Sequence, residues 1–222
     1  MGPDFNNIRQ AASGNIGSLK IGYTGGFVAR ILPRVLRLYH KAAPDIILDV
    51  ERRNIRVLLK SLYDGSLDIA FVVSNDKEIA SDLSSRVVKQ DKLNVAIPAD
   101  HALAKSQKLS LPDLADEPFV FMARSENHTI FDFFMHLCAD AGFTPNLVSQ
   151  PAMLETVLLL VESGIGITIL SPLAETGAHP NLQMVPLDVD YPIHLLSVWE
   201  KDNKNPAIPM FLEVLEKVSA DI

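Results

Sequence analysis

Short apolar runs alternate with helical stretches through the first third of this chain, and no other feature restricts its fold as strongly. Residues 19–23 (LKIGY) read as a strand. From Phe27 to Ala42, the positions Val28, Ile31, Leu32, Val35, Leu38, Tyr39 and Ala42 recur at helical spacing, and Pro44 stops the run. IILDV (46–50) reads as a second strand. Asn54 then caps a helix with Ile55, Leu58, Leu59 and Leu62 on one face, and Gly65 closes it. LDIAFVV (67–73) has the continuous apolar character of a buried strand. A β-α-β-α-β order implies parallel strands covered by helices.

The remaining residues build a second unit of similar kind. After a loop come the strand LNVAIP (93–98), a turn-rich stretch from Ala99 to Pro118, and the strand FVFM (119–122). ARSENHT leads into a helix carrying Phe131, Phe134, Met135 and Cys138, ended by Gly142. A strand near 147–149, a helix over 154–163, a tight turn into the strand GIGITIL, and strands near 182–187 and 193–199 follow. Asn205-Pro206 opens a last helix with Ile208, Phe211, Leu212, Leu215 and Val218 inward, Pro206 suiting a first turn. The 222 residues thus read as α/β in two units, with 48% hydrophobic residues to fill their cores.

Charge and residue inventory exclude several functions. A formal net charge of −7 is the wrong sign for a free-standing nucleic-acid-binding domain. Cys138 is the single cysteine, so neither an intramolecular disulfide nor a cysteine metal cluster is possible. The histidines at 40, 101, 128, 136, 179 and 194 form no H-x-x-x-H or H-E-x-x-H pair, so no metal is expected. There is no G-x-S-x-G and no carboxylate pair at a spacing that suggests acid/base work. An enzyme and a cofactor site are therefore not expected. Without a signal-peptide pattern, and with no apolar run near the ~18 residues of a membrane span, the expected location is cytoplasmic.

Two loops and one stripe remain as candidates. YTGGF lies between a strand and a helix, where glycines admit close backbone approach and free N–H groups favour an anion. It lacks the Lys-Ser/Thr of a phosphate loop and the G-x-G-x-x-G spacing, and it also reads as a plain turn. SENHTIF (125–131) occupies the same position in the second unit. It offers hydroxyl, amide and imidazole groups, or simply a helix cap at Asn127 or Thr129. Arg30, Arg34, Arg37 and Lys41 share one helix face, either as a solvated surface or as a docking face for an acidic patch on a second subunit.

Several segments in order, GSLKIGY…ARILPRVLRLYHKAAPDIILDV, LLKSLYDGSLDIAFV, HALAKSQKLSLPDLADEPFV, LLLVESGIGITIL and LSVWEKDNKNPAIPMFLEVL, closely resemble the effector-binding domain of LysR-type transcriptional regulators. The resemblance covers roughly Gly17 to the C-terminus. It implies a type II periplasmic-binding-protein fold: two α/β subdomains joined by two crossover strands, with a ligand cleft between them. Subdomain I is then expected at 17–95 plus 198–222 and subdomain II at 96–197, with crossovers on LNVAIP and HLLSVWE. Residues 1–16 are expected to be a linker-helix remnant, and the family's N-terminal DNA-binding domain is not expected within this chain.

By the same resemblance, the cleft is lined by Thr24, Gly25, Gly26 and Phe27 after the first strand, and by Arg53 and Asn54 after the second. From subdomain II come Asn127, His128, Thr129 and Ile130, then Met153 and Leu154. Many relatives carry Ser or Thr in place of Gly26, and Thr or Ser in place of Asn54. Loss of the hydroxyl at Gly26 leaves Thr24 or backbone N–H groups to hold a carboxylate. The expected partner is a small, anionic effector, a carboxylate favoured. Homodimers or tetramers are expected to form through the helix at 28–42 and that at 130–141, with DNA bound only through the missing domain. A transporter's solute-binding protein of the same fold is the competing reading.

Overall fold

The computed structural model describes residues 17–28, 31–77, 79–174 and 179–220. The expected linker remnant at 1–16 and Arg30 lie outside them, as does the side chain of Phe27. Among the described residues, ten strands and five α-helices follow in chain order: β1 (Ser18–Tyr23), α1 (Leu32–Ala42), β2 (Ile47–Arg52), α2 (Ile55–Tyr63), β3 (Ile69–Ser74), β4 (Leu83–Asp91), β5 (Asn94–Pro98), β6 (Pro118–Val120), α3 (His128–Asp140), β7 (Asn146–Ser149), α4 (Leu154–Glu162), β8 (Thr168–Leu170), β9 (Leu182–Pro186), β10 (Ile193–Glu200) and α5 (Ala207–Ala220). Gly65 and Gly142 stop α2 and α3 with φ of 71° and 89°, a left-handed conformation that costs glycine little.

One lobe is built on a five-stranded sheet of order β2-β1-β3-β10-β4. β1 pairs in parallel with β2 and β3, while β10 runs antiparallel to β3 and β4. All six residues of β3 are buried, and its side chains alternate between two helical layers. Ile69, Phe71 and Val73 join Val35, Tyr39, Phe211 and Leu215 of α1 and α5 on one face. Ala70 and Val72 meet Ile55, Leu58 and Leu62 of α2 on the other. On the first face, the Tyr39 ring stands edge-on to Phe211 at 5.3 Å, and its hydroxyl donates to the Ala207 carbonyl at 3.3 Å. Burial pushes this phenol up to about 12.

The second lobe carries the sheet β8-β5-β9 and the parallel pair β6-β7. A bridge between Phe119 and Ile167 links the two, with Val120 N–H donating to the Ile167 carbonyl and Ile167 N–H to that of Pro118. Gly166 makes this approach possible, since a Cβ there would lie 2.5 Å from the Pro118 oxygen. Phe119, Phe121 and Phe134 stack in series at 5.3 and 5.5 Å beneath α3. The apolar core is continuous from one lobe to the other through residues such as Val73, Leu93, Phe134 and Ile193.

Two expectations need correction. The stretch after residue 75 is not only loop: β4 forms the edge of the large sheet. Its SSRVVKQ interior is mostly polar, as an edge strand tolerates, so no apolar run announces it. The lobe boundaries also fall earlier than 95/96 and 197/198. β5 pairs within the second lobe from Asn94 onward, and β10 pairs within the first from Ile193 onward. The connections between lobes therefore precede these strands instead of running within them.

His194, on β10 opposite Ser74, is 2% exposed, and its Nδ1 has no hydrogen-bond partner among the described residues. Burial, then the nearby Lys77, holds its pKa below the ordinary histidine value, partly opposed by Asp76. The unfolded chain therefore binds a proton at a pH where the native state does not. Stability is full above the unfolded value of about 6.5 and declines as pH falls from there towards the lowered native value. Urea midpoints at about pH 7.5 and about pH 5.5 should differ less in His194→Gln than in the wild type.

Candidate functional site

The carboxyl ends of parallel strands in an open α/β sheet leave a crevice where neighbouring connections diverge. Here β1 lies between β2 and β3, so the turn after β1 faces such a point. Across from it stand the starts of α3 and α4 in the second lobe. The space between is a cavity of about 100 Å³. Thr24, Gly25, Gly26, Arg52 and Val73 line it from the first lobe, and Glu126, Asn127, Ile130, Phe131, Ala152, Leu154 and Val157 from the second. Leu93 and Ile193, next to the lobe connections, close its base with Phe121, Met122 and Phe134. The far wall comes from Thr168, Ile169, Leu170, Ser171 and Ala174.

Asn127 ties the lobes together. Its carboxamide oxygen caps α3 by accepting from Ile130 N–H at 3.2 Å, and its amide donates to the Val73 carbonyl of β3 at 3.3 Å. The residue is 5% exposed, so both bonds lie out of water. Nearby, Ile55 N–H at the start of α2 donates to the Glu126 carbonyl at 3.3 Å. A third link crosses the mouth, where Arg52 Nη1 lies 3.5 Å from Glu155 Oε1. With the arginine side chain 30% and the glutamate 52% exposed, this last contact is weak.

At the mouth one guanidinium stands across from Glu155, and Glu126 also lines the cavity. Arg52 is the sole cationic side chain among the described residues that line the cavity, and it passes over the glycine turn, with its Nη2 4.0 Å from the position of a Cβ on Gly25. Met153 gives α4 no side-chain cap, so the first N–H groups of that helix are left for solvent or a ligand. Thr24 N–H is engaged with the Phe71 carbonyl at 3.2 Å, so this residue has its hydroxyl to offer and not its amide.

Of the residues expected at the site, Thr24, Gly25, Gly26, Asn127, Ile130 and Leu154 line the cavity. Arg53 turns outward to Glu51 at 2.8 Å, because successive residues of an extended strand face opposite ways, and Arg52 takes the inner place. Asn54 spends its oxygen on Val57 N–H at 3.0 Å as the cap of α2. His128 and Thr129, on the first turn of α3, and Met153, which is 46% exposed, do not line the cavity. The strand period at Arg52 was a usable signal. The convergence of Phe121, Thr168 and Ile193 had none, since it depends on how the lobes close.

Among the described residues no group of His, Cys, Asp or Glu could hold a metal ion. The Cys138 thiol is buried and pushed up to about 11 by that burial, far from a nucleophile's range.

A family profile described as "LysR substrate binding domain" matches residues 12–220. The chain belongs to this family. It is 28% identical to the HTH-type transcriptional regulator AlsR of Bacillus subtilis (strain 168) over 96% of this chain and 70% of that protein. With the HTH-type transcriptional regulator ShiR of Corynebacterium glutamicum (strain R) it shares 31% identity over 80% of this chain and 60% of that one. The chain thus spans roughly two thirds of the regulators it matches. The BenM effector-binding domain with its effector benzoate superposes with a TM-score of 0.78 at 22% identity, covering 92% of this chain and 93% of that one. Full-length CbnR complexed with target DNA gives 0.77 at 18%, covering 96% and 74%. The fold is the type II periplasmic-binding-protein fold expected from the sequence. As a LysR effector-binding domain, the chain is a regulatory module and not an enzyme.

The double role of Asn127 can be separated by substitution. Serine keeps an N-cap oxygen but cannot reach Val73, whereas alanine loses both bonds. Asn127→Ala should cost about 2 kcal/mol or more, and Asn127→Ser about 1 kcal/mol less than that. Urea unfolding of the two variants checks the order, and equal losses would mean that the cap contributes nothing.

Proposed function

We propose that this domain senses a small carboxylate in the cavity between its lobes and passes the change in lobe geometry to a DNA-binding domain outside this chain. The observation that carries this reading is the pairing of largely apolar walls with a guanidinium and an uncapped helix start at the mouth. An apolar body and an anionic head fit those two halves. The volume of about 100 Å³ suits an aromatic or branched acid of few heavy atoms. BenM, a structural neighbour, takes benzoate, which has that form. No helix among the described residues is long and apolar enough to cross a membrane.

A screen of aromatic, branched and linear carboxylates by thermal shift tests the reading, because a ligand that binds only the folded state raises Tm. At least one such acid should raise Tm, and Arg52→Gln should weaken its binding about tenfold through loss of a charge-assisted hydrogen bond. Undiminished binding in that variant would remove Arg52 from the site. No shift with any carboxylate would remove the class.

The expected self-association has support in exposed surface. On α1, Arg34, Arg37, Leu38 and Lys41 face solvent, and the edge strands β2 and β7 expose Ile47, Val50 and Val148. Asp132 of α3, one acidic candidate for the opposing face, is held within its own chain by Arg124 at 2.6 and 2.7 Å. Those hydrogen bonds keep its carboxyl below the usual range, and Asp140 is left as the exposed acid at the end of α3. We propose antiparallel pairing of α1 with the partner's α3. Arg37→Glu combined with Lys41→Glu should shift sedimentation from dimer towards monomer, and an unchanged profile would make the stripe a solvated face.

A further inference from the structure

Charge around the cavity is unevenly paired. Arg52 is the sole cation among the described residues that line it, and it already lies 3.5 Å from Glu155. Glu126 lines the cavity as well. Its main chain is fixed on both sides, the N–H donating to the Ala123 carbonyl at 2.9 Å and the carbonyl accepting from Ile55 N–H at 3.3 Å. The residue is half-buried, yet its carboxylate takes no hydrogen bond or ion pair among the described residues. Arg124, two residues earlier, does not serve it, being held by Asp132 at 2.6 and 2.7 Å. Two carboxylates thus stand against one guanidinium.

A ligand that is only a carboxylate leaves this balance incomplete. To reach Arg52 it competes with Glu155, and it then adds a third negative group where one cation serves. A carboxylate that also carries an ammonium adds no net charge and brings the missing cation with it. Charge-assisted hydrogen bonds of this kind are among the stronger ones available to a half-buried carboxylate. We infer that the effector is a small amino acid, its carboxylate held by Arg52 and its ammonium by Glu126. Ile130, Phe131 and Leu154 then offer an apolar wall to the rest of the molecule. This inference rests on the carboxylate reading of the same cavity and narrows it.

The test uses matched series in which one charged group is removed at a time: valine, isovalerate and isobutylamine; phenylalanine, 3-phenylpropionate and phenethylamine; 4-aminobutyrate, butyrate and propylamine. Affinities are measured by calorimetry at about pH 7.5, where an ordinary histidine is mostly neutral, on the wild type and on Glu126→Gln. In at least one series the amino acid should bind the wild type about tenfold more tightly than either relative, the worth of one charge-assisted hydrogen bond. Glu126→Gln should weaken the amino acid and strengthen the acid that lacks the ammonium. Those two changes have opposite signs, which a general loss of structure does not produce. Because the carboxylate has no partner in the protein, ligand-free Glu126→Gln should melt where the wild type does.

Four results would overturn the inference. If acids without an ammonium bind as tightly as the amino acids in every series, the ammonium site fails while the carboxylate reading stands. If the advantage of the amino acid survives in Glu126→Gln, the residue assigned to the ammonium is wrong. A lower Tm for ligand-free Glu126→Gln would show that the carboxylate serves the fold. If the amines bind as tightly as the amino acids, or no compound binds, the carboxylate reading falls together with the inference.

Discussion

The structure depends on one strand. β3 is buried along its full length, flanked by β1 and β10 and covered by helices on both faces. This strand runs apolar from Ile69 to Val73, with Ser74 at its end accepting from Asp76 N–H, and its alternating side chains then decide what the helices above and below present to it. Phe71 reaches Phe211 on one side, while Ala70 and Val72 leave room for Leu58 and Leu62 on the other. Its parallel pairing with β1 puts both carboxyl ends on the same edge of the sheet, so Val73 and the Thr24 turn open side by side. The Val73 carbonyl, unable to find a strand partner at this edge, receives the Asn127 amide from the other lobe. A single buried strand thus sets the core of one lobe, the near wall of the cavity and one of the bonds that hold the lobes together.

What the sequence could reveal follows from the same physics. β3 and the helices around it were legible because burial on two faces leaves a continuous apolar run, and burial on one face leaves a 3.6 period. β4 was not, because an edge strand keeps only Leu83 and Val88 buried and shows the rest to water. The two loops that start the cavity were legible as strand-to-helix turns rich in small polar residues. Which of their polar groups face inward was not. A cap and a ligand contact draw on the same residue types, and at Asn54 the α2 amide takes the oxygen. Thr168 is a lone polar residue in the apolar run GITIL, but its place in the cavity depends on eight separate stretches of chain coming together.

The contacts across the cavity also bear on how a ligand could act. A ligand shifts a conformational equilibrium only by the difference in its affinity for the two states. Among the described residues, the links between lobes, Ser171 to Asp91 included, are unequal in this respect. The Asn127 bond to Val73 is sheltered from water and connects backbone to a helix start. The Arg52 contact with Glu155 is long and exposed, and it opposes a cation of one lobe to an anion of the other. A carboxylate arriving at Arg52 competes with Glu155 for the same guanidinium. It therefore replaces a direct link between lobes with one that passes through the ligand, and the apolar body of that ligand must touch α3 and α4 to make the exchange favourable. On the proposed reading, ligand affinity and the position of the second lobe are coupled through Arg52, and the sheltered amide bond of Asn127 limits the movement to a hinge instead of a separation.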